Sequence, residues 1–104
     1  MTFATDAQNV LFTSKYPTEA VVRYIDYSDR LILATGSSDV IASSTWTGQT
    51  GITISNSSFD TVNGTAQALF SGGTAGQTFK ITNTITTTGG QTLVQPFELR
   101  VKQP

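Results

Sequence analysis

Two residue types are absent from the 104 positions of this chain, cysteine and histidine. Without cysteine there is no disulfide framework, no thiolate metal site and no thiol nucleophile, so the fold is indifferent to redox conditions. Without histidine, the side chain that most often moves a proton near neutral pH is missing. Charge is scarce too: six Lys and Arg against seven Asp and Glu leave a formal net charge of -1, with no basic stripe and no charge run. Neither nucleic acid nor a membrane surface is therefore an expected partner. No stretch approaches the roughly 20 apolar residues of a spanning helix, and the opening "MTFATDAQNVLFTSKYP" has no basic segment followed by an apolar one. The expectation is a soluble chain made inside a cell.

Hydroxyls are abundant. Threonine occurs 19 times and serine 10 times, and the branched Cβ of threonine suits a pleated, half-exposed surface better than a helix. Apolar residues make up 38%, enough for one core but, at this length, not two. The clearest element is 78–87, where Phe79, Ile81, Asn83, Ile85 and Thr87 share one face and Thr78, Lys80, Thr82, Thr84 and Thr86 the other. Such alternation predicts a half-buried strand. Phe97, Leu99 and Val101 alternate with Glu98, Arg100 and Lys102 in a last strand.

If these two strands form a hairpin, their apolar faces coincide only when paired residue numbers sum to an even value, for instance Ile81 with Leu99 and Phe79 with Val101. An even sum requires an odd loop, and Gly89, Gly90 and Gln91 supply three residues. Pro96 predicts a bulge or an edge. Upstream, "DVIASSTWTG", "GITIS" and "TAQALFSG" read as strands separated by Gly48, Gly51, Asn63-Gly64 and Gly72-Gly73. Turns every 8 to 12 residues or so predict an all-β sandwich. "PTEAVVRYIDYSDRL" fits either a helical stripe or a strand, and strand is favoured, with a tight turn over 26–29. Residues 1–16 show no period and predict an extended N-terminal arm, leaving 17–104 as the sandwich domain.

The segment "SGGTAGQTFK" invites a phosphate-binding reading, yet it matches neither common glycine-rich phosphate motif and runs into a β-period segment instead of a helix N-terminus. Gly72, Gly73 and Gly76 are read as corner residues. Asp26 and Asp29 are the closest carboxylate pair, better suited to bonding their own turn than to catalysis. No metal-loop spacing joins Asp26, Asp29, Asp39 and Asp60, so no metal, cofactor or catalytic residue is assigned. Trp46 is read as a core anchor, with Phe79, Ile81 and Leu99.

Taken together, "RYIDYSDRL", "IASSTW", "GITI", "LFSGGTAGQTFKITNTITTTGGQT" and "FELRV" resemble a family of small structural proteins of tailed bacteriophages, over about residues 15–102. The resemblance implies an immunoglobulin-like β-sandwich, a place in the virion after synthesis in the host cytoplasm, and no catalysis. The chain departs from the pattern at Tyr27, where tryptophan is expected. The implied role is a head or neck component near the head-to-tail connector that binds capsid, portal or connector proteins and copies of itself. Phe3, Val10, Leu11, Phe12 and Tyr16 would be the arm's contact residues, and deletion of 1–14 is expected to leave the sandwich folded. The alternative is an adhesion module binding surface glycans through an exposed cluster of Tyr24, Tyr27 or Phe59.

Overall fold

The computed structural model describes residues 4–5, 11–31 and 39–103. Among these residues, eight strands form two sheets: β1 (Ala4–Thr5), β2 (Leu11–Lys15), β3 (Val21–Asp26), β4 (Ile41–Gly48), β5 (Ile52–Asp60), β6 (Thr65–Gly72), β7 (Thr78–Thr87) and β8 (Thr92–Val101), with one 3-10 turn at Ser28–Leu31. The larger sheet has the order β1-β2-β8-β7-β4, and the smaller one β3-β6-β5. All pairings are antiparallel except β2 on β8.

The β7–β8 hairpin shows how residue period becomes register. Phe79 pairs with Leu99 and Ile81 with Phe97, so the sum is even but two lower than the pairing of Ile81 with Leu99 anticipated from the sequence. The loop is accordingly three residues long but begins one residue earlier, over 88–90, closed by Thr87 N donating to Gln91 O at 3.0 Å. Turn chemistry explains the shift, since a three-residue loop needs a left-handed residue at its third position, and Gly90 (φ 89°) is there. The faces separate as the alternation requires, with Phe79, Ile81, Asn83, Ile85 and Thr87 all buried. Pro96 pairs with Thr82 without a register shift, and the β2 ladder on the other side of β8 stops at Glu98. Pro96 thus occupies a stretch of β8 beyond that ladder, where its missing N–H costs no described hydrogen bond.

The inner faces close on one core. From the small sheet come Ile25, Ala66, Ala68 and Phe70, and from the large one Phe79, Ile81, Ile85, Phe97, Leu99 and Val101. Trp46 of β4 packs against it, edge-to-face on Phe70 (centroids 5.4 Å apart) and Phe97 (6.2 Å), which also meet each other edge-on at 5.9 Å. Such ring pairs contribute about 0.5–1.5 kcal/mol each beyond area burial. "VVRYID" is a strand because its alternate residues Val21, Arg23 and Ile25 lie opposite Phe70, Ala68 and Ala66. A helical stripe there would have had no partner in a molecule built of sheets.

Residues 11–15, expected in an extended arm, are indeed extended, but they are laid along β8 of the same chain, with Thr13 against Leu99 and Lys15 against Val101. Thr13 and Lys15 face inward and are 3% and 2% exposed. Two polar residues on the buried face hide the strand from any test of hydrophobic alternation. Thr13 Oγ1 and Ser14 O accept from the Arg23 guanidinium at 2.8 and 3.3 Å. Deletion of 1–14 would remove all but Lys15 of β2 and two of the acceptors of Arg23, leaving it Val22 O.

Candidate assembly surfaces

Two polar side chains tie the two sheets together, and a third fastens the β7–β8 hairpin to the start of β4. At one end, Lys15 Nζ donates to Tyr16 O (2.8 Å), Pro17 O (3.5 Å) and Gly72 O (2.5 Å), linking β2 to the end of β6. Burial pushes its ammonium below the ordinary lysine range, while the charge of Glu19 pulls the other way. In the middle, the Tyr27 hydroxyl donates to Asn83 Oδ1 at 2.7 Å, and Asn83 Nδ2 donates to Ser44 Oγ (3.0 Å) and Thr45 O (3.1 Å). Burial raises the Tyr27 phenol to about 12, against the lowering influence of Arg30.

At the other end stands Asp39. Its Oδ1 accepts from Val40 N (2.8 Å) and Gly89 N (2.9 Å), and its Oδ2 from Gln91 Nε2 (2.9 Å). The Thr87 hydroxyl first, then the Gln91 amide and the backbone N–H groups of Val40 and Gly89, hold its carboxyl well below the usual range. A Cβ on Gly89 would lie 2.7 Å from Asp39 Oδ2, so the hairpin reaches the carboxylate only with glycine there. Nothing in the sequence distinguished Asp39 from other loop aspartates, because its donors come from a hairpin about 50 positions away.

The glycine-rich loop is a corner. Gly72, Gly73 and Gly76 have φ of 81°, 93° and 84°, Gly76 N donates to Val101 O at 2.8 Å, and a Cβ on Gly73 would stand 2.7 Å from Val101 Cγ2. Its geometry is consumed by the fold, which leaves no cradle for a phosphate. Asp26 accepts from Ser28 N (2.9 Å), and Asp60 from Asn63 N (3.1 Å), Asn63 Nδ2 (2.8 Å) and Val62 N (2.8 Å), and these donors hold both carboxyls below the ordinary aspartate value. The Asp29 side chain lies outside the described residues. Among the described residues no group of three potential metal ligands assembles.

What remains is surface. The outer face of the large sheet carries Ser43, Thr45 and Thr47 opposite Thr86, Thr84 and Thr82, with a hydrogen bond between the Ser43 and Thr86 hydroxyls. Toward β2 the same face becomes charged, with the Arg100 guanidinium 3.8 Å above the Phe12 ring and 2.8 Å from Glu98. Phe12 is therefore engaged within the chain, Leu11 packs partly on the core, and Tyr16 is 44% exposed. Phe3 and Val10 lie outside the described residues. Of the aromatics named for adhesion, Tyr27 is fully buried, which removes it from any exposed cluster. Tyr24 lines a shallow cleft with Asp26, Asn63 and Gln67, whereas Phe59 pairs with Ala66 on the opposite face of its sheet.

A family model described as podophage GP4 fiber-tail adaptor protein gp77 matches residues 15–100. The chain belongs to that family. The gp77-family match begins at Lys15, the buried lysine, and ends one residue before Val101, so it spans β3 through nearly all of β8. A family of phage structural adaptors places the protein in the virion. No curated protein sequence matches the chain.

Proposed function

We propose that this gp77-family chain is a non-enzymatic adaptor with an immunoglobulin-like sandwich, acting as a rigid spacer between other virion proteins at the junction of fibre and tail. The topology supports the fold reading: three-stranded β3-β6-β5 faces β8-β7-β4, a short strand runs parallel to the last strand, and a tryptophan on β4 anchors the core. The observation that carries the role is the family match over residues 15–100. The body measures 48 × 31 × 20 Å, and its polar side chains with the strongest bonding, Lys15, Asn83 and Asp39, hold sheet to sheet or hairpin to body. Such a body transmits position and performs no chemistry. Its partners are connector, portal or capsid proteins and further copies of itself. Phe3, Val10 and Tyr16 of the N-terminal segment are contact residues in this reading, with Leu11 and Phe12 partly committed to their own sheet.

The test is made on particles. Virions assembled without the chain are expected to retain filled heads and lose fibres in negative-stain images, with fibres restored by supplying the wild-type protein. Particles that keep a full set of fibres without it would overturn the adaptor role. The second reading, glycan adhesion, is favoured only by the cleft of Tyr24, Asp26, Asn63 and Gln67. It predicts saccharide binding on a glycan array that Tyr24→Ala removes, and an array without signal rejects it.

A further inference from the structure

The edges of the two sheets are protected unequally. β1 is two residues long, β3 carries Arg23 and Asp26, and β5 is broken by a register shift between Ser55 and Ser58 with Asn56 at φ 51°. Short length, charge and bulges are the usual devices that keep a free edge from recruiting another strand. β4, "IASSTWTG", has eight residues, no charge and no proline. From Ser43 to Gly48 its register is unbroken, and β7 is its ladder partner among the described residues. The neighbouring outer face, Thr82, Thr84 and Thr86, is equally free of charge.

We propose that two copies of the chain pair through β4, antiparallel about a two-fold axis at Thr45, so that their large sheets run on as one. The inference rests on the self-association in the adaptor reading and names its surface. A two-fold axis normal to a sheet preserves its faces, so paired residue numbers must sum to an even value. Centring on Thr45 sets Ser43 against Thr47 on the hydroxyl face and Ser44 against Trp46 on the inner face. Neutral meets neutral throughout, and a net charge of -1 per chain adds little repulsion. A second copy is the fitting occupant because isologous pairing consumes both unprotected edges and stops, whereas an open edge of this length invites unlimited growth.

Pairing a few residues buries less than the roughly 1,200 Å² of a standard stable interface, so the dimer is expected to be concentration-dependent. Light scattering after size exclusion of the full-length chain, from low micromolar to near-millimolar, should show the mass rising from one chain toward two. Thr45→Lys and Thr45→Glu each place like charges face to face at the axis and should weaken the dimer at least about tenfold. Thr45 is exposed, so both variants should melt with the wild type, and an equimolar mixture of the two should restore the dimer. A wild type that stays monomeric throughout overturns the proposal, as does a dimer indifferent to both variants. Loss of particle attachment in Thr45→Lys with a monomeric wild type would assign the edge to a different protein, which also overturns pairing between copies. The adaptor role fails separately, on particles that keep their fibres.

Discussion

Lys15 and Asp39 sit at opposite ends of the β7–β8 hairpin, and each buries a charge without an opposite charge in hydrogen-bonding contact among the described residues. Lys15 is held by three backbone carbonyls, while Asp39 is held by two backbone N–H groups and an amide side chain. In both, backbone dipoles replace a counter-ion, and in both the pKa falls, but the meaning is opposite. Hydrogen bonding favours the charged carboxylate, so Asp39 ionisation stabilises the fold. Desolvation disfavours the charged ammonium, so Lys15 ionisation costs stability that the carbonyls offset. One end is fastened by its charge, and the other is fastened by hydrogen bonds in spite of it.

The largest effect should come from the lysine end. Lys15→Ala empties a buried site and leaves Gly72 O without its donor, a loss of about 2–4 kcal/mol in urea unfolding. A loss under about 0.5 kcal/mol, the ordinary surface value, would mean that this end is not fastened at all.

Tyr27, between the two ends, sharpens the contrast with a raised pKa. Tyr27→Phe leaves Asn83 Oδ1 buried without its hydroxyl donor and should cost about 1–3 kcal/mol at neutral pH. Because the folded phenol titrates near 12 and the unfolded one near 10, the unfolded chain releases its proton first. The wild type should therefore lose stability as pH rises from 10 to 12, and the phenylalanine variant should show a shallower fall.

A smaller effect is expected at the hairpin. Gly89→Ala drives a Cβ against the Asp39 carboxylate and should cost about 1 kcal/mol, with slower-exchanging amides of 88–91 becoming faster in hydrogen exchange. Unchanged exchange would separate the hairpin from Asp39. Last, Asp39→Asn keeps one carbonyl oxygen for Val40 and Gly89 but loses the charge those donors favour and sets an amide N–H against Gln91 Nε2. It should therefore lower stability at neutral pH, with the gap to the wild type closing in acid. Its signature is at acid pH. The folded carboxyl lies below its unfolded value of 3.8, so the wild type holds its full contribution above that value and loses it as pH falls further. The variant should lack that acid slope in thermal melts, and an unchanged slope would assign it to other carboxylates, Asp26 and Asp60 first.

Much of the large sheet was legible. β7 and β8 declare themselves because each alternates one apolar and one polar face along its whole length, and an even register sum follows from matching those faces. The exact register was not legible, because Gly89 and Gly90 are equally permissive in a sequence and only the left-handed third loop position and the close approach to Asp39 distinguish them. β2 was hidden because its inward residues are threonine and lysine. Of the aromatics expected outside, Tyr27 turns inward to satisfy Asn83, itself a polar residue that alternation had placed on the apolar face, while Tyr24 and Phe59 stay exposed.

The sequence by itself determined an all-β chain, the two strongest strands, the corner role of Gly72, Gly73 and Gly76, and the exclusion of thiol and imidazole chemistry. These follow from local period, backbone freedom and residue inventory, each readable within a few positions. The tertiary structure alone decided that Lys15 meets Gly72, that Asp39 meets Gly89 and that β4 ends the large sheet among the described residues. Those pairings join residues tens of positions apart, and a hydrogen bond or a sheet edge exists only once the chain has folded back on itself.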